Sequence, residues 1–120
     1  MKIAVTARGD GMDAAVDPRF GRAMKFVVVD LDSGEATSVD NAQNMNAAQG
    51  AGIQAAQNVA NLGVEALLTG HCGPKAFRVL NAAKVKIHVG ASGTVAEAVE
   101  KYKKGELELA DSADVEGHWV

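Results

Sequence analysis

The second half of this chain alternates short apolar runs with segments of helical period. That order restricts the fold more than any other feature. "VEALLTG" supplies a buried strand over Val64–Thr69, and a helix follows from Pro74 to about Ala83. Proline suits the first turn of that helix, and Phe77, Val79 and Leu80 are its apolar positions. "KVKIHVG" returns to a strand. "TVAEAVEKYKKG" is the next helix, with Thr94 and Glu97 spaced as a capping box. Strands separated by helices in this way run parallel and are joined by right-handed crossovers.

The first half reads differently. "KIAVTA" (Lys2–Ala7) and "KFVVVDL" (Lys25–Leu31) are strands, and the turn chemistry of Asp32–Gly34 leads into a third, "EATSVD". Strands two and three therefore form a hairpin. Ile53, Ala56, Val59, Ala60 and Leu62 keep helical spacing up to Gly63, so a helix precedes the Val64 strand. The expected order is β-β-β-α-β-α-β-α, an α/β fold with a mixed five-stranded sheet and helices on both faces. Residues 1–104 read as one domain and 105–120 as an acidic C-terminal tail.

Composition narrows the function classes. A chain of 120 residues with 48% hydrophobic and 22% charged content can bury a core. A net charge of −3 does not suit a general nucleic-acid binder, which carries a basic face. No run approaches the roughly 18 apolar residues of a membrane span, and the start lacks the apolar core of a signal peptide. These features predict a cytoplasmic protein with no nucleic-acid or membrane partner. The single cysteine, Cys72, excludes an internal disulfide framework and any all-cysteine metal site within one chain.

The topology predicts where a ligand would sit. The C-terminal ends of strands one, three, four and five share one edge of the sheet. The Arg8–Met24 loop, the Asn41–Gly52 segment, the Gly70–Pro74 turn and the Gly90–Gly93 turn converge there. Ligands of open α/β sheets bind at that edge. Three helix N-termini face it with unpaired amides, and Arg19 and Arg22 lie just before strand two. The rim is expected to accept an anion.

Individual residues admit competing readings. Cys72 follows His71 beside a helix N-terminus, where thiolates are stabilised; free cysteines are also among the most buried residues. His71-Cys72 with Arg78 matches H-C-x5-R, the signature of cysteine-dependent phosphatases. Against it, Lys75 and Phe77 replace small loop residues, and a helix from Pro74 turns Arg78 away from a phosphate cradle. Asp10, Asp13 and Asp17 crowd the first loop and read as solvated. "GDGMD" is a fragment of a calcium loop without its terminal glutamate. A mixed sheet of this order resembles ribonuclease-H-type nucleases, but strand one carries no acidic residue to hold catalytic metals. His88 reads as structural, and His118 has no assigned place.

Taken together, "VDPRFGRA", "GAGIQAAQNVANLGVEALLTG" and "GHCGPKAFRVLNAAKVKIH" resemble the dinitrogenase iron–molybdenum cofactor biosynthesis family, which includes NifX and the C-terminal part of NifB. The resemblance spans about Lys2 to Lys103. It implies a ribonuclease-H-like fold that binds preassembled metal–sulfur cofactors without catalytic turnover. Within the family, the chain is similar to a subgroup that carries a molybdenum–copper sulfide cluster. Residue by residue, the resemblance places cofactor binding at Arg19, Phe20, Gly21 and Arg22, and at Asn46, Gly50 and Gly52. It adds Gly70, His71, Cys72, Gly73 and Pro74.

Chemistry is consistent with that implication. One cysteine cannot supply the thiolates of a cluster, so the cluster must bring its own sulfide. Such a polyanion would be held by amides, helix dipoles and arginines, with one soft protein ligand at most. Cys72 and His71 are the candidate metal ligands, followed by the thioethers of Met12, Met24 and Met45. The sequence thus points to a non-enzymatic carrier of a molybdenum-containing metal–sulfur cluster, working with cofactor-donor or recipient proteins. The alternatives are a phosphatase using Cys72 and a metal-free regulatory module that binds a partner protein.

Overall fold

A computed structural model of the chain describes residues 1–41 and 51–110, with only the backbone at Ala51 and Gly52. The strands are β1 (Lys2–Ala7), β2 (Lys25–Asp30), β3 (Ala36–Asp40), β4 (Ala66–Leu68), β5 (Lys86–Val89) and β6 (Glu108–Leu109). Among the described residues, the helices are α1 (Ala51–Asn61), α2 (Pro74–Ala82) and α3 (Val95–Lys103), and a 3₁₀ turn spans Phe20–Arg22. One sheet holds the strands in the order β3-β2-β1-β4-β5-β6. β1, β4 and β5 pair in parallel, while β2 is antiparallel to both β1 and β3.

Among the described residues, the sheet has six strands rather than the expected five. The addition is β6, which lies antiparallel to β5 with Val89 opposite Glu108 and His88 opposite Leu109. Both of its residues are exposed. Two residues cannot show a period, so only pairing with β5, extended by the Ala110 amide on the Ile87 carbonyl at 2.8 Å, makes this stretch a strand.

Alternation along the central strands divides the core between two faces. Ala4, Phe26, Leu67 and Ile87 pack against Ala55, Ala56 and Val59 of α1 and Ala76 and Leu80 of α2. Ile3, Val5, Val27, Ala66 and Leu68 face the opposite way, onto Val95, Ala98 and Val99 of α3. Helices therefore cover both faces, α1 and α2 on one and α3 on the other. β1 is buried from Ile3 to Ala7, as a central strand sandwiched between helices must be. Leu80 is fully buried, and truncating such a side chain to alanine costs about 2–5 kcal/mol.

Local chemistry sets the element ends. α1 stops where Gly63 adopts φ 72, a left-handed conformation open to glycine at little cost. The expected strand from Lys84 begins only at Lys86. Lys84 takes φ 64 and the Val85 amide bonds back to the Leu80 carbonyl at 2.9 Å, so these residues close α2. The capping box of α3 is formed: the Glu97 amide donates to Thr94 Oγ1 at 3.2 Å, and the Thr94 amide donates to Glu97 Oε1 at 3.0 Å.

Among the described residues, no helix is long and apolar enough to cross a membrane. The expectations at Asn46, Gly50, Met45 and His118 lie outside the described residues.

Candidate functional site

The first loop is sewn across the C-terminal edge of the sheet by main-chain hydrogen bonds. At one end, the Arg8 amide donates to the Ala15 carbonyl and the Val16 amide to the Gly93 carbonyl, at 2.9 and 2.8 Å. At the other, the His71 amide donates to the Pro18 carbonyl at 2.9 Å, and Arg19 and His71 form a parallel bridge. The Phe20 amide approaches the His71 carbonyl at 3.4 Å. The β4–α2 turn is tied onward to the next turn by the Gly90 amide on the Gly70 carbonyl at 2.9 Å. Three of the four expected segments thus meet at one rim. The fourth, Asn41–Gly52, is described only at its ends: Asn41 is buried and bonded to the Ala23 carbonyl through its side-chain amide at 2.8 Å, and Gly52 lies in the first turn of α1.

Gly70 is demanded by this seam. A Cβ there would lie 2.6 Å from both the Cα and the carbonyl oxygen of Pro18, closer than nonbonded carbon atoms tolerate. The "DPRFGR" and "GHCGP" segments are therefore brought together at Pro18 and Gly70.

The helix N-termini at this edge are not equivalent. The first-turn amides of α3 are occupied, Val95 by the Ala14 carbonyl, Ala96 by the Met12 carbonyl and Glu97 by Thr94 Oγ1. The expectation of three available N-termini fails for α3, because the first loop folds over it. α2 differs. It begins at Gly73 with no side-chain cap and with Pro74 in its first turn, next to the Arg19–His71 bridge. Such an end carries partial positive charge and donor groups for an anion.

The candidate side chains divide into exposed and buried sets. Arg19 and Arg22 are exposed, and among the described residues neither guanidinium forms an ion pair, whereas nearby Lys25 is paired with Asp10 at 3.2 Å. His71, Gly73, Pro74 and Gly21 are half-buried. Phe20 is 2% exposed and lies against Phe26 with ring centroids 5.9 Å apart. Its part is to anchor the 3₁₀ turn in the core, where that turn packs on α1.

Cys72 is 1% exposed and belongs to the same core cluster as Phe20 and Ala76. Burial pushes its thiol up to about 12. That is the opposite of the low-pKa thiolate a phosphatase loop requires. With Arg78 exposed on the second turn of α2, the H-C-x5-R pattern has lost both of its working groups. Among the described residues, no three histidine, cysteine, aspartate or glutamate side chains cluster as a metal-ion site.

One residue was misread at the sequence level. Asp17 is 3% exposed, not solvated, and its Oδ1 accepts the Arg19 amide at 3.0 Å. Asp-Pro is a turn-initiating pair, and that signal could have marked the residue.

Known proteins resemble this arrangement. The family model described as "Dinitrogenase iron-molybdenum cofactor" matches residues 1–105. An uncharacterized protein of Methanocaldococcus jannaschii is 29% identical over 110 residues, covering 90% of each chain. The apo form of the orange protein from Desulfovibrio gigas is 49% identical, covers 91% of this chain and 92% of its own, and superposes with a TM-score of 0.88. An NMR structure of a NifB-assigned protein from Thermotoga is 34% identical, covers 90% and 91% of the two chains, and gives a TM-score of 0.78.

Proposed function

This chain belongs to the dinitrogenase iron–molybdenum cofactor family, and on that premise we propose that it binds and carries a preassembled, anionic, molybdenum-containing metal–sulfur cluster without catalytic turnover. The finer form of the reading is a molybdenum–copper sulfide cluster, as the sequence resemblance implies. The cluster is cargo. It arrives with its own sulfide and is passed between cofactor-donor and recipient proteins.

The observation that carries the reading is the seam at Arg19 and His71. It pairs the backbone of Arg19 with that of His71, two residues before the uncapped N-terminus of α2 at Gly73, and Arg22 follows at the end of the same 3₁₀ turn; both arginines are exposed. An anion there gains from amide donors, from the helix dipole and from guanidinium groups that chelate sulfide or oxide edges. We assign the contacts to Arg19, Gly21, Arg22, Gly70, His71, Gly73 and Pro74, and, on the sequence resemblance, to Asn46, Gly50 and Gly52. Phe20 and Cys72 support the rim from beneath. If one protein atom reaches a metal, the half-buried His71 is better placed than the core thiol of Cys72.

The fold is read as a ribonuclease-H-like variant whose β1, "KIAVTA", lacks the carboxylate that metal-ion catalysis would need. The cytoplasm is the compartment that keeps a lone thiol reduced. The test is anaerobic reconstitution with tetrathiomolybdate and Cu(I), followed by gel filtration, metal analysis and a visible spectrum. A coloured protein with stoichiometric molybdenum is expected. Colourless, metal-free protein after that treatment would refute the reading.

A further inference from the structure

A buried polar chain runs beneath the rim, where strand ends usually pack apolar residues. Thr6 at the end of β1 donates its hydroxyl to the Asp17 carbonyl at 2.7 Å and lies 3.0 Å from the hydroxyl of Thr69, just past β4. The Asp17 amide returns a bond to the Thr6 carbonyl at 2.9 Å. Thr6 and Thr69 are fully buried, and Asp17 is 3% exposed. Asp17 Oδ1 then accepts the amide of Arg19, two residues on.

This geometry holds the backbone of the exposed Pro18. Its carbonyl is turned onto the His71 amide and its Cα onto Gly70. A carboxylate under an anion site works against the anion by simple Coulomb repulsion. Its place is therefore explained by the hydrogen bond and not by the charge.

We infer that Asp17 is a positioning residue: its side-chain oxygen, by holding the Arg19 amide, fixes the arm that presents Arg19 and Arg22 to the cluster. The inference rests on the proposed cluster-binding reading for its affinity arm, but not for its structural arm. An acceptor at the Asx position is required, and a negative charge is not.

Three substitutions separate the two properties. Asp17→Asn keeps the oxygen and removes the charge. Asp17→Glu keeps the charge and moves the oxygen out of Asx reach. Asp17→Ala removes both. Val59→Ala in α1 serves as the control for general destabilisation, because it opens a cavity away from the rim.

The measurements are tetrathiomolybdate–Cu(I) cluster affinity and, on the apo protein, hydrogen exchange of the Arg19 amide. Asp17→Asn is expected to bind more tightly than wild type and to keep the Arg19 amide protected. Asp17→Glu and Asp17→Ala are expected to lose about tenfold or more in affinity, which is about 1.4 kcal/mol, and to expose that amide. Val59→Ala is expected to lower Tm with affinity intact. Should Asp17→Ala fail to fold, the ranking of Asn against Glu decides the matter. Weaker binding by Asp17→Asn than by Asp17→Glu, or an Arg19 amide equally protected in all variants, would overturn the inference. If wild-type protein takes up no cluster, the proposed function fails by itself, and the exchange data on apo protein still decide the role of Asp17.

Discussion

Pro18 and Gly70 are in closer contact than any side chain would permit: a methyl group on Gly70 would sit 2.6 Å from the Pro18 Cα. The obstacle is backbone, so it cannot rotate aside. Gly70→Ala should force the first loop away from the β4–α2 turn at a cost of about 1–3 kcal/mol. A drop in Tm with amide shifts centred on His71 and Arg19 is expected, together with weakened cluster uptake. An alanine variant with unchanged shifts at both residues would contradict the seam.

The two exposed arginines carry the electrostatic part of the proposal. Arg19→Glu with Arg22→Glu should leave Tm close to wild type, since exposed substitutions usually stay within about 0.5 kcal/mol. Cluster affinity should fall about tenfold or more, and more than in Cys72→Ala. Titrations at two salt concentrations check the origin of the loss, because attraction between exposed charges is screened. An equal loss in Cys72→Ala would shift the contact from guanidinium to thiol.

The Cys72 thiol should be inert at neutral pH. Its folded pKa is raised from 9.0 to about 12 by burial, so reaction with an aromatic disulfide should be slow and limited by opening of the core. The linked effect on stability has a definite sign. The unfolded chain releases this proton near its ordinary pKa, the native chain only near 12, so stability present below pH 9 is lost as pH rises toward 12. Chemical denaturation from pH 8 to 10.5 should show a decline that is shallower in Cys72→Ala.

His88 should act at the other end of the scale. Its ring meets Tyr102 edge-on at 4.9 Å, and burial holds its pKa below the ordinary 6.5, despite a backbone hydrogen bond involving Leu107 that pulls the other way. A depressed histidine contributes stability above the unfolded pKa that is lost as pH falls. Proton NMR titration of the ring should place its midpoint below 6.5, and His88→Gln should lessen the fall in stability between pH 7 and pH 5. A midpoint above 6.5 would contradict the burial of this ring.

Much of the architecture was legible because the relevant signals are local. Thr94 and Glu97 declare a helix start by spacing alone, Gly63 declares an end, and the alternation after Val64 fixes parallel strands. The convergence of loops follows from that alternation and topology. What escaped was whatever depends on distant partners. β6 exists only because β5 offers an edge. Cys72 and Phe20 look like site residues in sequence, yet the turn places both side chains in the core. Asp17 resembled a solvated loop acid until Thr6 and the Arg19 amide came to enclose it. The N-terminus of α3 looked available because nothing in its own segment shows that Met12 and Ala14 will cover it.

The first loop is joined to the β4–α2 turn through peptide groups, and this separates shape from recognition. Arg19 and Arg22 project from an arm whose course does not depend on their own side chains. Those two positions can therefore be randomised with the architecture retained, which makes the rim a site for selection without rebuilding the loop.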